Sequence, residues 1–265
     1  MTIQHNIYRA SRWLAYKLPT KVKGLLASEI VPTKTLRTPH GPVRFYGFGR
    51  LPMSRIENAY IRQGAIFKWV DTFLPESVFW DIGANHGTIS LYAAANPHIK
   101  VISVEPLASN FWLLNKNIFI NRFTTITAYP IALSETNNFG KLGSSHNPTP
   151  GVAGSSFGRY HNDRNEYFTP VFEQGTVGFT GDSLVYSHGI AMPNYLKIDV
   201  DGTENHVLEG MTRVLQSSEL KSIVLETSDD RGDHAECVAI LETAGFGKRY
   251  NMPDTANWMF ERCGV

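Results

Sequence analysis

The stretch Asp81-Ile82-Gly83-Ala84-Asn85-His86-Gly87, which follows directly on the apolar Val78-Phe79-Trp80, restricts the possible folds more than any other part of the chain. Val78 to Ile82 reads as a buried strand. Gly83 and Gly87 allow a sharp turn into a helix predicted from about Thr88 to Ala95. Open α/β sheets bind ligands at the carboxyl ends of their strands, which is where Asp81 and the glycine turn stand. A second strand, Val101 to Val104, ends at Glu105, placed to accept hydrogen bonds from both hydroxyls of a ribose. The ligand expected over this turn therefore contains a nucleoside. A dinucleotide fingerprint, G-x-G-x-x-G, needs a further glycine between the two, and Asn85 stands there instead.

The alternation continues in both directions. Ser109 is the expected N-cap of a helix that buries Phe111, Leu114 and Ile118, and Thr125 to Tyr129 forms a third strand. Tyr195 to Val200 and Ser222 to Glu226 are the fourth and fifth strands, flanking a helix that buries Val207, Leu208, Met211, Val214 and Leu215. A helix from Asp233 to Ala244 stops at Gly245. The runs Phe246 to Met252 and Trp258 to Phe260, joined by the short Pro253-Asp254-Thr255, predict an antiparallel pair. The fold is thus α/β, a mostly parallel, doubly wound sheet with helices on both faces and an antiparallel C-terminal hairpin.

Residues 73–265 are assigned to this domain and residues 1–72 to an N-terminal extension that caps it. Within the extension, Thr38 to Gly49 predicts a tight turn with short flanking strands. Ser54 to Phe73 predicts one helix, or two short ones broken at Gly64. Between residues 140 and 181 Gly, Ser, Asn, Pro and His dominate, which predicts an inserted loop, either a substrate-recognition lid or an excursion without a task.

A formal net charge of +1, with 42% hydrophobic and 18% charged residues, excludes wholesale disorder and gives no reason to expect nucleic acid. Two cysteines, Cys237 and Cys263, can build neither a disulfide framework nor a four-cysteine zinc site, and both are expected to be packing residues in a reducing, cytoplasmic setting. Met1 to Ser28 lacks any acidic residue and interleaves Arg9, Arg12, Lys17, Lys21 and Lys23 with Ile7, Tyr8, Trp13, Leu14 and Tyr16. Two readings fit: a helix packed on its own domain, and peripheral contact with an anionic membrane. Oligomeric state is left open.

Four blocks, Asp81 to Gly87, Val104-Glu105-Pro106, Ala132-Leu133-Ser134 and Leu196-Lys197-Ile198-Asp199-Val200-Asp201-Gly202-Thr203-Glu204, resemble the successive motifs of the FkbM family of methyltransferases. The resemblance spans residues 73–226. It implies a Rossmann-like class I methyltransferase fold, a seven-stranded sheet with an antiparallel last strand, and S-adenosyl-L-methionine as cofactor. It also implies that the backbone at Asp81, Gly83, Ala84, Asn85 and Gly87 holds the methionine part and Glu105 the ribose. Pro106 with Leu107 would cover one adenine face and Ala132 would lie near the adenine; Asp199, read from its place at the strand end, is a catalytic base, or else caps the following helix or binds the cofactor amine. The family usually carries Glu where this chain has Asp201, and Ala or Phe near Thr203.

Strand alternation puts Lys197 and Asp199 on one face with Asp201. A lysine inside a parallel sheet is costly unless paired, so Lys197 is expected to neutralise Asp81 or Asp199. Methyl transfer to an alcohol needs a base for the acceptor's proton, and the candidates are Asp199, which leads, then Asp201, Glu204 and Glu226. His146 and His161 are outside candidates. Carboxylate oxygens at Asp182, Asp199 and Asp201 would suit magnesium, but spacing alone does not bring them together and no metal is expected. The expected activity is O-methylation of a hydroxyl on a sugar, glycan or secondary metabolite. The alternatives are a catalytically silent nucleoside-cofactor or glycan-binding module and a nicotinamide-dependent oxidoreductase.

Overall fold

Side chains of the central strands alternate between two apolar cores, and that alternation organises the molecule. The structure is a computed structural model and describes residues 17–22, 31–162, 164, 166–227, 234–253 and 256–264. An antiparallel pair, β1 (Thr33–Thr38) and β2 (Gly41–Tyr46), leads into helices α1 (Arg50–Glu57) and α2 (Ala59–Val70). The main unit then runs β3 (Val78–Ile82), α3 (Thr88–Ala94), β4 (Lys100–Val104), α4 (Ala108–Asn121) and β5 (Ile126–Tyr129). Short strands β6 (Ala132–Leu133), β7 (Asn138–Ser144), β8 (Ser155–Phe157) and β9 (Phe172–Phe179) follow, then α5 (Gly181–Tyr186) and β10 (Tyr195–Ile198). Helices α6 (Glu204–Glu209) and α7 (Thr212–Gln216), β11 (Ser222–Glu226), α8 (His234–Thr243), β12 (Phe246–Asn251) and β13 (Asn257–Arg262) complete the chain.

The principal sheet has seven strands in the order β12-β13-β11-β10-β3-β4-β5. Its five central-to-edge strands β11, β10, β3, β4 and β5 are parallel, β13 joins β11 antiparallel, and β12 pairs with β13 antiparallel, as the tail pattern predicts. Phe79 of β3 and Tyr195 of β10 enter one core with Phe67, Trp69 and Tyr92. Their neighbours Trp80, Ile82, Leu196 and Ile198 enter the other, with Val207, Leu208, Leu215 and Leu241 from the opposite helices. Burying each such side chain contributes about 1.5–3 kcal/mol, which fixes the strand register because a one-residue slip would exchange the two faces.

Several boundaries differ from the sequence expectation. The helical segment after β2 begins at Arg50 and breaks at Asn58, whose side-chain nitrogen donates to the Ser54 carbonyl, while Gly64 stays inside α2. The N-cap of α4 is Leu107, and Ser109 sits inside the helix with its hydroxyl buried and unpartnered. This helix buries Asn110, Leu113, Leu114 and Asn117, whereas Phe111 and Ile118 are half-buried. The helix after β10 is two short ones separated at Gly210, where a side chain would strike the Ser134 carbonyl, yet all five predicted apolar residues are buried.

Residues 140–181 are the largest difference. They are a loop only in part: residues 140–144, 155–157 and 172–179 belong to β7, β8 and β9, which with β6 make a second sheet, and the segments between them lie outside its strands. Gly140, Gly143 and Gly178 are strand positions facing aromatic rings, with Phe157 packed on Gly140 and Gly178 and Tyr160 on Gly143. Cys237 is buried as expected, whereas Cys263 is exposed. No helix among the described residues is long and apolar enough to cross a membrane. Most of the basic stretch before Ser28 lies outside the described residues.

Candidate active site

The carboxyl ends of β3, β4 and β10 open into one cavity, lined also by α1, α2 and the second sheet. Its floor follows from sheet register. Lys197 pairs with Asp81 across β10 and β3, and Asp81 with Ser103 across β3 and β4, so three polar side chains stand in a row on one face. Ser90 of α3 covers them, donating its hydroxyl to Asp81 and accepting one from Ser103 at 2.8 Å. The Lys197 ammonium lies 2.8 Å from Asp199 Oδ2 and 3.7 Å from Asp81 Oδ1.

This pairing sets the charges. Burial pulls against the Lys197 ammonium, but Asp199 and then Asp81 outweigh it and raise its pKa. Burial also works against ionised Asp199, and Lys197 overcomes it, so Asp199 sits below the usual carboxylate range. Asp81 is raised by burial, with Lys197 and Ser90 only partly compensating. Glu226 is pushed well above the carboxylate range, first by the Asp199 charge and then by burial, and it shares a hydrogen bond with Asp199.

The turn between β3 and α3 is built as its glycines imply, though for a different reason. Gly83 adopts φ 78° and Gly87 φ 91°. A Cβ at Gly83 would fall 1.7 Å from the Asp199 carbonyl oxygen, and one at Gly87 would meet Leu91 and Leu114. The room these glycines free is taken by the protein itself, which locks the β3 and β10 ends together. Gly87 accordingly does not line the cavity, while Asp81, Gly83, Ala84 and Asn85 do.

Glu105 is buried and accepts the Asn85 amide at Oε2 (2.7 Å) and the Leu107 amide at Oε1 (2.9 Å). Burial raises its pKa to about 7 against the opposing pull of those amides. The Asn110 side chain also hydrogen-bonds this carboxylate, and the lone-pair capacity that remains can accept a ribose hydroxyl. Pro106 and Ala132 line the cavity with it. Leu107 does not, because its side chain is buried against Leu142 and Val152.

Of the catalytic candidates, Asp199, Asp201 and Lys197 line the cavity, and Asp199, Asp201 and Glu226 each offer an oxygen within 4.8 Å of the others. Asp201 has a left-handed backbone (φ 60°), and its Oδ2 accepts the amides of Gly154 and, more weakly, Ser155. Burial, then the Asp199 charge, raises its pKa. Glu204 instead ties the loop after β10, accepting the Val200 and Gly202 amides, each at 3.1 Å. Asp182 is remote from the group and accepts the Arg213 and Val214 amides at the start of α7. His146 contacts Ser145 and His161 pairs with Tyr167; neither lines the cavity.

Sequence reasoning missed Arg55, Gln63, His86 and Asn110. Arg55 Nε, Asn85 Nδ2 and Asn110 side-chain atoms all bind the Gly151-Val152 turn, pinning the second sheet over the glycine turn. His86 is buried between Asn85 and Thr88, and burial followed by the Arg55 charge lowers its pKa to about 3, so it is neutral. Only the side chain's place in the motif could have signalled His86, and nothing in the helical spacing signals Arg55.

The cavity fits a polar nucleoside cofactor carrying charge. Three buried polar atoms on its wall, Gln63 Oε1, Asp81 Oδ1 and Ser155 Oγ, have no hydrogen-bond partner among the described residues. Unsatisfied buried groups of this kind cost about 1–3 kcal/mol each unless a ligand serves them.

Comparison with known proteins agrees. Residues 81–248 match the Methyltransferase FkbM domain. The chain is 27% identical over 161 residues to the hexuronic acid methyltransferase AglP of Haloferax volcanii, a match covering 60% of this chain and 59%, less than two thirds, of that protein. It is 25% identical over 223 residues to Methyltransferase 1 of Beauveria bassiana, covering 77% and 87% respectively. Among solved structures, the FkbM methyltransferase from Methylobacillus flagellatus overlays with a TM-score of 0.48 at 14% identity, over 70% of this chain and 43% of that one. The match from Asp81 to Lys248 spans more than half of the chain, and the chain belongs to the FkbM family of S-adenosylmethionine-dependent methyltransferases.

Proposed function

We propose that this protein transfers a methyl group to a hydroxyl of a sugar, glycan or small metabolite, with Asp201 as the base. The observation that carries this reading is a half-buried carboxylate on the cavity wall whose Oδ2 is fixed by two backbone amides while Oδ1 takes no hydrogen bond from the described residues. Its pKa is raised where that of Asp199 is lowered, which makes it the better proton acceptor of the two. Asp199 is a weaker base because Lys197 holds it ionised, and its part is to keep negative charge at the strand ends. S-adenosylmethionine, when bound, supplies a methyl group on a sulfonium, so alignment of the acceptor does most of the remaining work. The backbone around Gly83 to Asn85 and the Glu105 carboxylate would hold it. Lys197 and Glu226 would position Asp199 without touching the acceptor. The similarity to a hexuronic acid methyltransferase supports a sugar acceptor.

The test is a screen of uronic acids, neutral sugars and small alcohols with labelled methyl donor, followed by Asp201→Asn on the acceptor found. Asparagine can still accept the two amides, so binding of S-adenosylhomocysteine should persist while kcat falls about 10²–10⁴-fold. Undiminished kcat in Asp201→Asn would remove Asp201 as the base, and methylation of amines alone would remove the O-methyl reading.

A further inference from the structure

Two cationic side chains line the cavity among the described residues, and only one is already paired. Lys197 is enclosed by Asp81 and Asp199. Among the described residues Arg55, from α1, makes a single hydrogen bond, Nε to the Gly151 carbonyl at 2.8 Å, and has no carboxylate within salt-bridge distance. Its two Nη groups have no acceptor among the described residues although the side chain is largely shielded from water. From α2, Gln63 contributes to the same wall a carbonyl oxygen, Oε1, that is buried and unpartnered. Both residues precede the segment that matches the family domain.

We propose that Arg55 and Gln63 together form the recognition site for the α-amino-acid end of the methyl donor, the Arg55 guanidinium binding its carboxylate and the Gln63 carbonyl its ammonium. This rests on the assignment of the cavity to S-adenosylmethionine. A guanidinium is a planar fork that matches a carboxylate through two parallel N–H bonds, and fixing Nε on Gly151 leaves the Nη edge pre-oriented for that geometry. The neighbourhood selects a zwitterion over a simple anion. Asp199 and Asp201 lie near enough to act on the Arg55 charge, so a ligand bringing only negative charge would meet repulsion, and it would leave Gln63 Oε1 without a donor. An α-amino acid answers both groups at once. The N-terminal helices are then part of cofactor recognition.

The experiment compares binding of S-adenosylhomocysteine with that of 5′-methylthioadenosine, which lacks the amino-acid end, by calorimetry on wild type, Arg55→Met, Arg55→Lys and Gln63→Leu. Removing one member of a buried charge pair should weaken S-adenosylhomocysteine about 30-fold or more in Arg55→Met. Gln63→Leu should lose roughly 10-fold, Arg55→Lys should retain part of the affinity, and 5′-methylthioadenosine should bind all four proteins alike. Equal losses for both ligands would make Arg55 a structural residue and overturn the proposal. So would unchanged S-adenosylhomocysteine affinity with a raised KM for an acidic acceptor, which would assign the guanidinium to the acceptor's carboxylate. If wild type bound neither nucleoside, the cofactor assignment itself would fall, and the proposal with it.

Discussion

The Lys197 ammonium bonds Asp199 Oδ2 at 2.8 Å, two residues along the same strand end, with only 3% of the lysine exposed. The pair sits at the carboxyl end of β10, and Asp81 on β3 adds a second carboxylate at 3.7 Å. Lys197 thus offsets one buried and one half-buried carboxylate at the point where the cofactor cavity begins. Lys197→Met would leave both uncompensated, and breaking a buried pair on one side costs about 3–5 kcal/mol. Thermal unfolding should show a large drop in Tm, and any folded fraction should bind S-adenosylhomocysteine poorly. Lys197→Met/Asp81→Asn should recover part of the stability, because one of the stranded charges is removed with it.

Glu105 gives the binding reaction its pH dependence. Its pKa of about 7 in the free protein reflects burial, and ribose hydroxyls donate more strongly to the ionised form, which offers more acceptor positions. Binding therefore releases a proton from the fraction that carries one, and affinity for S-adenosylhomocysteine should rise between about pH 6 and pH 8 and level off above. Calorimetry across that range, in two buffers of different ionisation enthalpy, reads both the slope and the proton release. In Glu105→Gln the slope should vanish and the affinity fall at every pH. For stability the sign is opposite: because the folded-state pKa is raised, Glu105 favours folding below its unfolded value and this contribution fades as pH climbs through about 7.

What could be read from the chain follows the strength of the physical signal. β3, β4, β10 and β11 are largely buried, and their mostly apolar runs fix β3, β4 and β11 to within a residue, while β10 ends two residues before the expected Val200. Asp81, Glu105, Asp199 and Asp201 were legible because strand ends are where such a sheet collects ligands. The second sheet was not legible. Its strands carry Gly140, Gly143, Gly175 and Gly178, residues that ordinarily mark turns, and three of these are strand positions only because Phe157 and Tyr160 pack over them. Arg55 and Gln63 were hidden for another reason. A polar residue on an amphipathic helix looks solvent-facing until the tertiary fold lays that helix across a cavity.

Gly83 and Gly175 separate packing from composition. Gly83→Ala would place a methyl group against the Asp199 carbonyl at φ 78°, where only backbone movement can relieve the contact. Left-handed backbone strain alone costs on the order of 1–3 kcal/mol, and the clash adds to it. The variant should unfold at lower temperature and lose S-adenosylhomocysteine affinity, since the turn that carries Asn85 and the strand end that carries Asp199 are forced apart. Gly175→Ala in β9 meets nothing within 4 Å and should be neutral or stabilise by roughly 0.4–1 kcal/mol. Equal Tm values for the two variants would contradict the interlock of β3 and β10.

The carboxylates of Asp199, Asp201 and Glu226 lie close enough to hold a divalent cation, yet their oxygens already have work within the protein. Asp199 Oδ2 accepts from Lys197, Asp201 Oδ2 accepts from Gly154 and Ser155, and Glu226 shares a hydrogen bond with Asp199. Lys197 supplies a positive charge where a metal would otherwise be required, and the Arg55 charge also reaches the cluster. Metal binding would have to displace the Lys197 contact and break the Asp199–Glu226 hydrogen bond, which weakens it. Turnover should accordingly be unchanged by a chelator and not stimulated by magnesium or manganese. The sharper measurement is Tm against magnesium concentration, because a ligand at 100 times its Kd stabilises the native state by about 2.7 kcal/mol. A flat Tm at millimolar magnesium is the expected result. A rise that disappears in Glu226→Gln would identify the trio as a metal site and make Lys197 its competitor rather than its substitute.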